Sequence, residues 1–276
     1  MDDIKKISGS TRVYAIIADP IHHVQTPSAM NQLFAARGDD RVMVPFHVNE
    51  SELGAVVAGL RGIKNLDGFI VTVPHKTAIL ELCDSVSDSA KLVGAVNVVR
   101  RDEDGSLHGD ILDGAGFLAG LRQRGIEPAG MSVYLAGAGG AAKAIAFALA
   151  AAGVSKLTIF NRTASKAVEL IQRLSAVFPA TEILLGSDDP AGHDLVVNST
   201  SLGLRVDDIL PLDVTLLTPS QIVAEIIMQP AITPLLVAAT QMGCRIHDGM
   251  PMLLCQIELM AAAMATNKNE QNHEYI

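Results

Sequence analysis

An α/β fold in two lobes is predicted for this chain by three observations. Short apolar strands alternate with helical stretches along most of the sequence, the pattern of sheets covered by helices. A glycine cluster at residues 137–140 stands between an apolar strand and an alanine-rich helix, a sharp strand-to-helix turn. The 276 residues exceed one ordinary compact module and suit two, each with its own core.

The first lobe opens with a β-favouring apolar run at residues 13–18, closed by Asp19 and Pro20. Residues 26–37 read as a helix capped by Thr26, with Pro27 in its first turn, Ala29, Leu33 and Phe34 at helical spacing, and Gly38 as the stop. A strand at 42–48, a helix at 51–60 and a strand at 68–73 extend the alternation. A helix is expected around 77–83, followed by a hairpin in which residues 95–101 and 107–110 flank a turn at 102–105. Residues 114–124 read as helical, and the breakers in 125–130 suit an inter-lobe connection.

The second lobe begins with a strand at 132–136, then the glycine cluster, the alanine-rich helix and a strand at 156–160. Further strands are expected at 181–185, 195–198, 222–227 and 243–246, with a last helix at 252–266 and a polar tail at 267–276 that frays. No internal repeat or low-complexity linker interrupts this order.

Composition narrows the function classes. Hydrophobic residues make up 49% and charged residues 18%, the balance of a packed domain. A formal net charge of −9 and the lack of any Lys/Arg run argue against nucleic acid or an anionic membrane as partner, since both need a concentrated basic face. Cys83, Cys244 and Cys255 have no paired spacing, so neither a disulfide framework nor a metal site is expected, and the thiols read as buried and reduced. No apolar run has the length of a membrane span, and residues 1–6 do not begin a secretory signal. The expectation is a cytoplasmic protein with a small-molecule substrate, as a monomer or homodimer.

The glycine cluster carries the first chemistry. Gly137, Ala138, Gly139, Gly140, Ala141 and Ala142 form a G-x-G-x-x-A pattern between strand and helix. The first glycine permits the tight turn and the second a close backbone approach to a pyrophosphate, which sits at the helix N-terminus among free N–H groups. The lobe is therefore a Rossmann-type dinucleotide-binding unit. After its second strand come Asn161, Arg162 and Thr163, with Lys166 one turn later. An acid there would hold the ribose 2′-hydroxyl of NAD, whereas an arginine accommodates a 2′-phosphate, so NADP is the expected cofactor.

Several ordered segments resemble one family. V-T-V-P-H-K from Val71 to Lys76, G-A-V-N ending at Asn97, G-D-x-x-D-G around Asp113, G-A-G-G-A from Gly137 to Ala141 and N-R-T from Asn161 to Thr163 resemble shikimate dehydrogenases. So do N-S-T ending at Thr200, T-P-L-L from Thr233 to Leu236 and D-G-M-x-M-L-x-x-Q, which contains Gly249 and Gln256. The resemblance runs from about Tyr14 to about Met260. It implies that residues 1–112, completed by a C-terminal helix at 249–276, hold the substrate and that residues 113–248 bind NADP(H), with Thr200 and Gly249 among the cofactor contacts. It implies reversible reduction of the ring ketone 3-dehydroshikimate to shikimate, with Lys76 as acid/base and Asp113 as its carboxylate partner. Such a transfer needs a proton donor for the oxygen that becomes an alkoxide. Thr26, Thr72, Asn97 and Gln256 correspond to the substrate contacts.

The substrate contacts also depart from the resemblance. Where the family has S-x-S-P, this chain has Val24-Gln25-Thr26-Pro27; Ile70 replaces an Asn, Ile111 and Leu112 replace Asn and Thr, and Met228 replaces a Tyr. Each change removes a polar group, and each lost ordinary hydrogen bond costs roughly 0.5–1.5 kcal/mol of substrate affinity. Weak shikimate activity, or a less polar cyclic hydroxy acid as substrate, is the expectation; the contrary reading is that these positions do not line the pocket or that His22, His23 or Gln25 supply replacement donors. A quinate or aminoshikimate dehydrogenase and a non-catalytic NADPH-binding sensor are the alternatives.

Overall fold

The computed structural model describes residues 7–205 and 207–265. The chain divides into two compact units, Met1–Leu112 with Gln256–Ile276, and Asp113–Cys255. The expected final-helix residue Thr266 and the tail after it lie outside the described residues.

The first unit contains β1 (Arg12–Ala18), α1 (Thr26–Arg37), β2 (Arg41–His47), α2 (Leu53–Arg61), β3 (Leu66–Val71), β4 (Ser85–Val86), α3 (Asp88–Val93), β5 (Val98–Arg101) and β6 (Leu107–Asp110). Its sheet runs β2-β1-β3-β5-β6-β4. β1 lies parallel to β2 and β3, and β5 runs antiparallel to β3 and β6. β3 is buried along its whole length, which is why its residues 68–71 read as an apolar run rather than an alternation. Gly68 marks the tightest contact in this core. A Cβ there would stand 2.5 Å from the Val99 carbonyl oxygen and 2.9 Å from Met264 Cγ.

Three local expectations change. The N–H groups of Ser28 and Ala29 both donate to the Gln25 carbonyl, so Gln25 is the cap of α1 and Thr26 its first helical residue; Gly38, at φ 71°, ends the helix as expected. The stretch around 77–83 forms only a 3₁₀ turn over Ala78–Leu82. Beyond it, residues with no expected structure supply β4 and α3, the latter capped by Ser87 Oγ, which accepts the Ala90 N–H at 3.1 Å.

The second unit contains α4 (Asp113–Gln123), β7 (Ser132–Ala136), α5 (Gly140–Ala151), β8 (Lys156–Phe160), α6 (Ala164–Val177), β9 (Glu182–Leu185), β10 (Leu195–Asn198), β11 (Ile222–Glu225), α7 (Pro234–Gln241), β12 (Arg245–His247) and the start of α8 (Met250–Ala263). All its strands are parallel, in the order β12-β11-β10-β7-β8-β9. Counted from β7, this is the doubly wound order 3-2-1-4-5-6, whose direction of winding reverses between β7 and β10. Ligands of such sheets bind at the carboxyl ends of the strands beside that reversal.

Helix α4 packs on α5 through Gly114, where a Cβ would come within 2.4 Å of the Ala144 carbonyl oxygen. The breakers at 125–130 therefore end α4 inside the second unit, with Gly125 at φ 69°. The chain passes from one unit to the other at Leu112–Asp113. Helix α8 is shared: up to Cys255 it groups with the second unit and from Gln256 with the first, whereas the sequence placed it wholly in the first from residue 249. Among the described residues no helix is long and apolar enough to cross a membrane, and no group of His, Cys, Asp and Glu could hold a metal ion. All three cysteines are free, but only Cys244 is buried.

Candidate active site

At the reversal point, β7 leads into Gly137 at φ 120°. A Cβ there would lie 2.7 Å from Ser199 Oγ, so both the conformation and the neighbour call for glycine. Ser199 is fixed in turn, its hydroxyl donating to the Ala136 carbonyl at 2.6 Å. Ala138 is buried. Gly139 caps α5 without a side-chain hydrogen bond, and Gly140 and Ala141 form the first turn, so the leading N–H groups have no side-chain acceptor. Gly139 differs from Gly137 in having nothing within 4 Å of an added Cβ.

β8 leads into Asn161, whose Nδ2 donates to the Thr163 carbonyl at 2.9 Å. Thr163 caps α6 without a side-chain bond. Arg162, Thr163 and Lys166 are exposed, and neither cation makes an ion pair with a described residue. After β10, Asn198 Oδ1 accepts the Thr200 N–H at 3.0 Å and the Thr200 hydroxyl at 2.7 Å, which holds the Thr200 turn at the same edge. Gly249 is glycine because the Ile227 carbonyl oxygen would lie 2.4 Å from its Cβ.

One buried group at this edge escaped the sequence reading. Glu225 closes β11, is 0% exposed and accepts a hydrogen bond from Asn198 Nδ2 at 2.9 Å. Burial pushes its carboxyl up to about 7, against the hydrogen bonds that favour its ionised form. The available signal was an acid closing an otherwise apolar strand.

In the first unit the candidate residues gather at the carboxyl ends of β1, β3 and β6. The Thr72 N–H donates to the Ile17 carbonyl at 3.0 Å, and the Val96 N–H donates to the Lys76 carbonyl at 2.8 Å. His75, fully buried beside Lys76, bonds the Val48 carbonyl through Nε2 at 2.7 Å. Lys76 itself is buried. Asn97 lies opposite β3, its carbonyl accepting the Val71 N–H at 2.8 Å, and its side-chain Oδ1 accepts the Leu112 N–H at 2.9 Å. Gln256 Nε2 donates to the Leu112 carbonyl at 3.0 Å. Both peptide groups of Leu112 are thus held by side chains, immediately before Asp113, which is buried in its own right.

Val24, in the turn after β1, is half-buried, and Thr26, the first residue of α1, is buried. The rings of His22 and His23 lie 5.7 Å apart, and burial lowers the pKa of His23. Ile70 and Leu112 are buried, while Met228 is half-buried in the segment after β11. Val24, Thr26, Thr72, Lys76, Asn97 and Gln256 therefore belong to the first unit. Asp113, Met228 and every cofactor candidate belong to the second.

Comparison with known proteins agrees with this geometry. Residues 16–99 match the shikimate dehydrogenase substrate binding domain, and residues 122–202 match the shikimate / quinate 5-dehydrogenase family. A shikimate dehydrogenase (NADP(+)) of Rubrobacter xylanophilus is 42% identical over 257 residues, covering 92% of this chain and 90% of the relative. Shikimate 5-dehydrogenase of Listeria monocytogenes, solved with shikimate and NAD, is 33% identical with a TM-score of 0.83, covering 93% of this chain and 92% of that one. The 5-ketofructose reductase of a Gluconobacter strain, solved without ligand, is also 33% identical, with a TM-score of 0.81 over 94% of this chain and 95% of its own. With both domain families matched in order on a doubly wound sheet and its partner unit, the chain belongs to the shikimate dehydrogenase family.

Proposed function

We propose that this protein is an NADP-dependent shikimate dehydrogenase that interconverts shikimate and its 3-dehydro ketone. The observation that carries the reading is the edge between β7 and β10, in a chain 42% identical to a shikimate dehydrogenase (NADP(+)). Gly139 supplies the fit test. Apart from its chain neighbours, nothing lies within 4 Å of an added Cβ, so the backbone there is open to an approach from outside, as a pyrophosphate against the uncapped α5 amides requires. Arg162 and Lys166 hold the 2′-phosphate, with Asn161 and Thr163 shaping their turn and Thr200 and Gly249 completing the cofactor contacts. When bound, NADP(H) supplies or accepts the hydride.

On the substrate side, Lys76 gives a proton to the ketone oxygen as the alcohol forms and takes it back in the reverse direction, with Asp113 as the carboxylate of the pair. Thr26, Thr72, Asn97 and Gln256 are the polar groups for the substrate. Asn97 and Gln256 also hold the Leu112 peptide, so they set where Asp113 begins. Residues 1–112 with the C-terminal helix form the substrate part and residues 113–248 the cofactor part.

A less polar cyclic hydroxy acid is the second reading, favoured by the buried aliphatic side chains of Ile70 and Leu112. Quinate has no such observation behind it. The absorbance change at 340 nm with NADP⁺ or NAD⁺ and shikimate, quinate or aminoshikimate tests both. Fastest turnover of shikimate with NADP⁺ is the expected result, and no turnover with any of them defeats the enzyme assignment.

A further inference from the structure

We infer that Glu225 is a positioning residue for the cofactor edge: its buried carboxylate ties the turn after β10 to the segment after β11, and so places Thr200 and the main chain leading to Met228. The inference rests on the second unit being the NADP-binding one.

The carboxylate is saturated by donors. Oε2 accepts from Asn198 Nδ2 at 2.9 Å and from Thr233 Oγ1 at 3.1 Å, and Oε1 accepts from the N–H groups of Ile226 at 2.8 Å and Ile227 at 3.1 Å. Two donors per oxygen fill its acceptor sites. Each partner is itself committed. Asn198 holds Thr200 through Oδ1 and also donates Nδ2 to the Leu202 carbonyl at 3.0 Å. Thr233 Oγ1 receives the Leu236 N–H at 3.3 Å as the cap of α7, which leaves its hydrogen for Glu225. The result is one connected frame from Thr200 through Asn198 and Glu225 to α7, with the Ile227 carbonyl pressed against Gly249.

An aliphatic side chain would fill this space at lower cost, because an ionised carboxylate partnered only by dipoles is expensive to bury. What it adds is directionality: four bonds fix two loops at once, and a connected polar network has few alternative arrangements. Of the elements packed on β11, β12 brings His247, in register with Ala224 and with a pKa lowered by burial, and the exposed Arg245, in register with Ile222 at the far end of the strand. β10 and α7 bring none. Since every partner of Glu225 is a donor, uptake of a proton sets hydrogen against hydrogen and loosens the frame as pH falls through about 7.

Calorimetric titration of NADP⁺ into the full-length wild type, Glu225→Gln and Asp194→Asn tests this. Glutamine has the same size, yet in either amide orientation it turns an NH₂ toward two donors. Asp194 is the control. It lies at the opposite end of β10, where it accepts the N–H and the hydroxyl of Ser132, both at 2.8 Å. Loss of a charged hydrogen-bond acceptor should weaken NADP⁺ binding by Glu225→Gln roughly tenfold or more. Asp194→Asn should lower Tm but leave binding within about twofold of wild type. The wild-type advantage over Glu225→Gln should also shrink between pH 8 and pH 6. Equal affinity of Glu225→Gln and wild type overturns the inference, as do affinity losses in both variants that simply track Tm. Should Glu225→Gln fail to fold, Thr233→Val removes one donor, and unchanged NADP⁺ affinity in that variant also overturns it. A wild type that does not bind NADP⁺ at all overturns the cofactor assignment together with the inference.

Discussion

Gln256 donates its side-chain N–H to the Leu112 carbonyl at 3.0 Å, across 144 residues of sequence. With Asn97 accepting the Leu112 N–H, the residue before Asp113 is gripped on both peptide groups. Gln256→Ala should leave a buried carbonyl unpaired, at a cost of about 1–3 kcal/mol, and should lower kcat as well. Thermal unfolding and steady-state kinetics check this. A raised KM with unchanged Tm would mean that Gln256 serves the substrate alone.

Replacement of Lys76 by Ala, or of Asp113 by Asn, should reduce turnover by roughly a hundredfold or more, the size of losing a placed proton-transfer group. NADPH binding should barely change. Rates from absorbance at 340 nm and Kd from NADPH fluorescence separate the two effects. Full activity in either variant would remove the residue from the mechanism.

NADPH should bind more tightly than NADH, because Arg162 and Lys166 are exposed, without ion-pair partners among the described residues, at a turn with no acid for the 2′-hydroxyl. Arg162→Ala should erase most of that preference. Parallel titrations with the two reduced cofactors decide it, and equal affinities in the wild type would refute the assignment of this turn.

Shikimate should show a KM above the roughly 1 μM to 1 mM band usual for an enzyme on its own substrate, given the aliphatic side chains at Val24, Ile70, Leu112 and Met228. Val24→Ser combined with Met228→Tyr should lower it by returning two polar groups. An ordinary wild-type KM that both changes leave alone or worsen would point to other donors, His23 and Gln25 first.

Much of this molecule was determined by sequence alone, because the deciding interactions are local or periodic. The strand-turn-helix at Gly137 needs only neighbouring residues, and a fully buried strand with parallel neighbours on both sides, such as β10, announces itself by its apolar residues. Short motifs around Lys76, Asp113 and Gly137 likewise carried the family. Only the tertiary structure could decide what depends on partners distant in sequence. Gly114 required the approach of α5 to explain it, and the breakers at 125–130, expected to connect the lobes, lie inside the second unit. The cap of α1 passed from Thr26 to Gln25 because main-chain bonds, not side-chain type, define a helix start. Asn97 and Gln256 were legible as candidate substrate contacts but not as the holders of the Leu112 peptide, and Glu225 lay unremarked inside the strand expected at 222–227 until the fold closed four donors around it. A linear chain shows which groups could donate or accept hydrogen bonds; folding determines which of them meet.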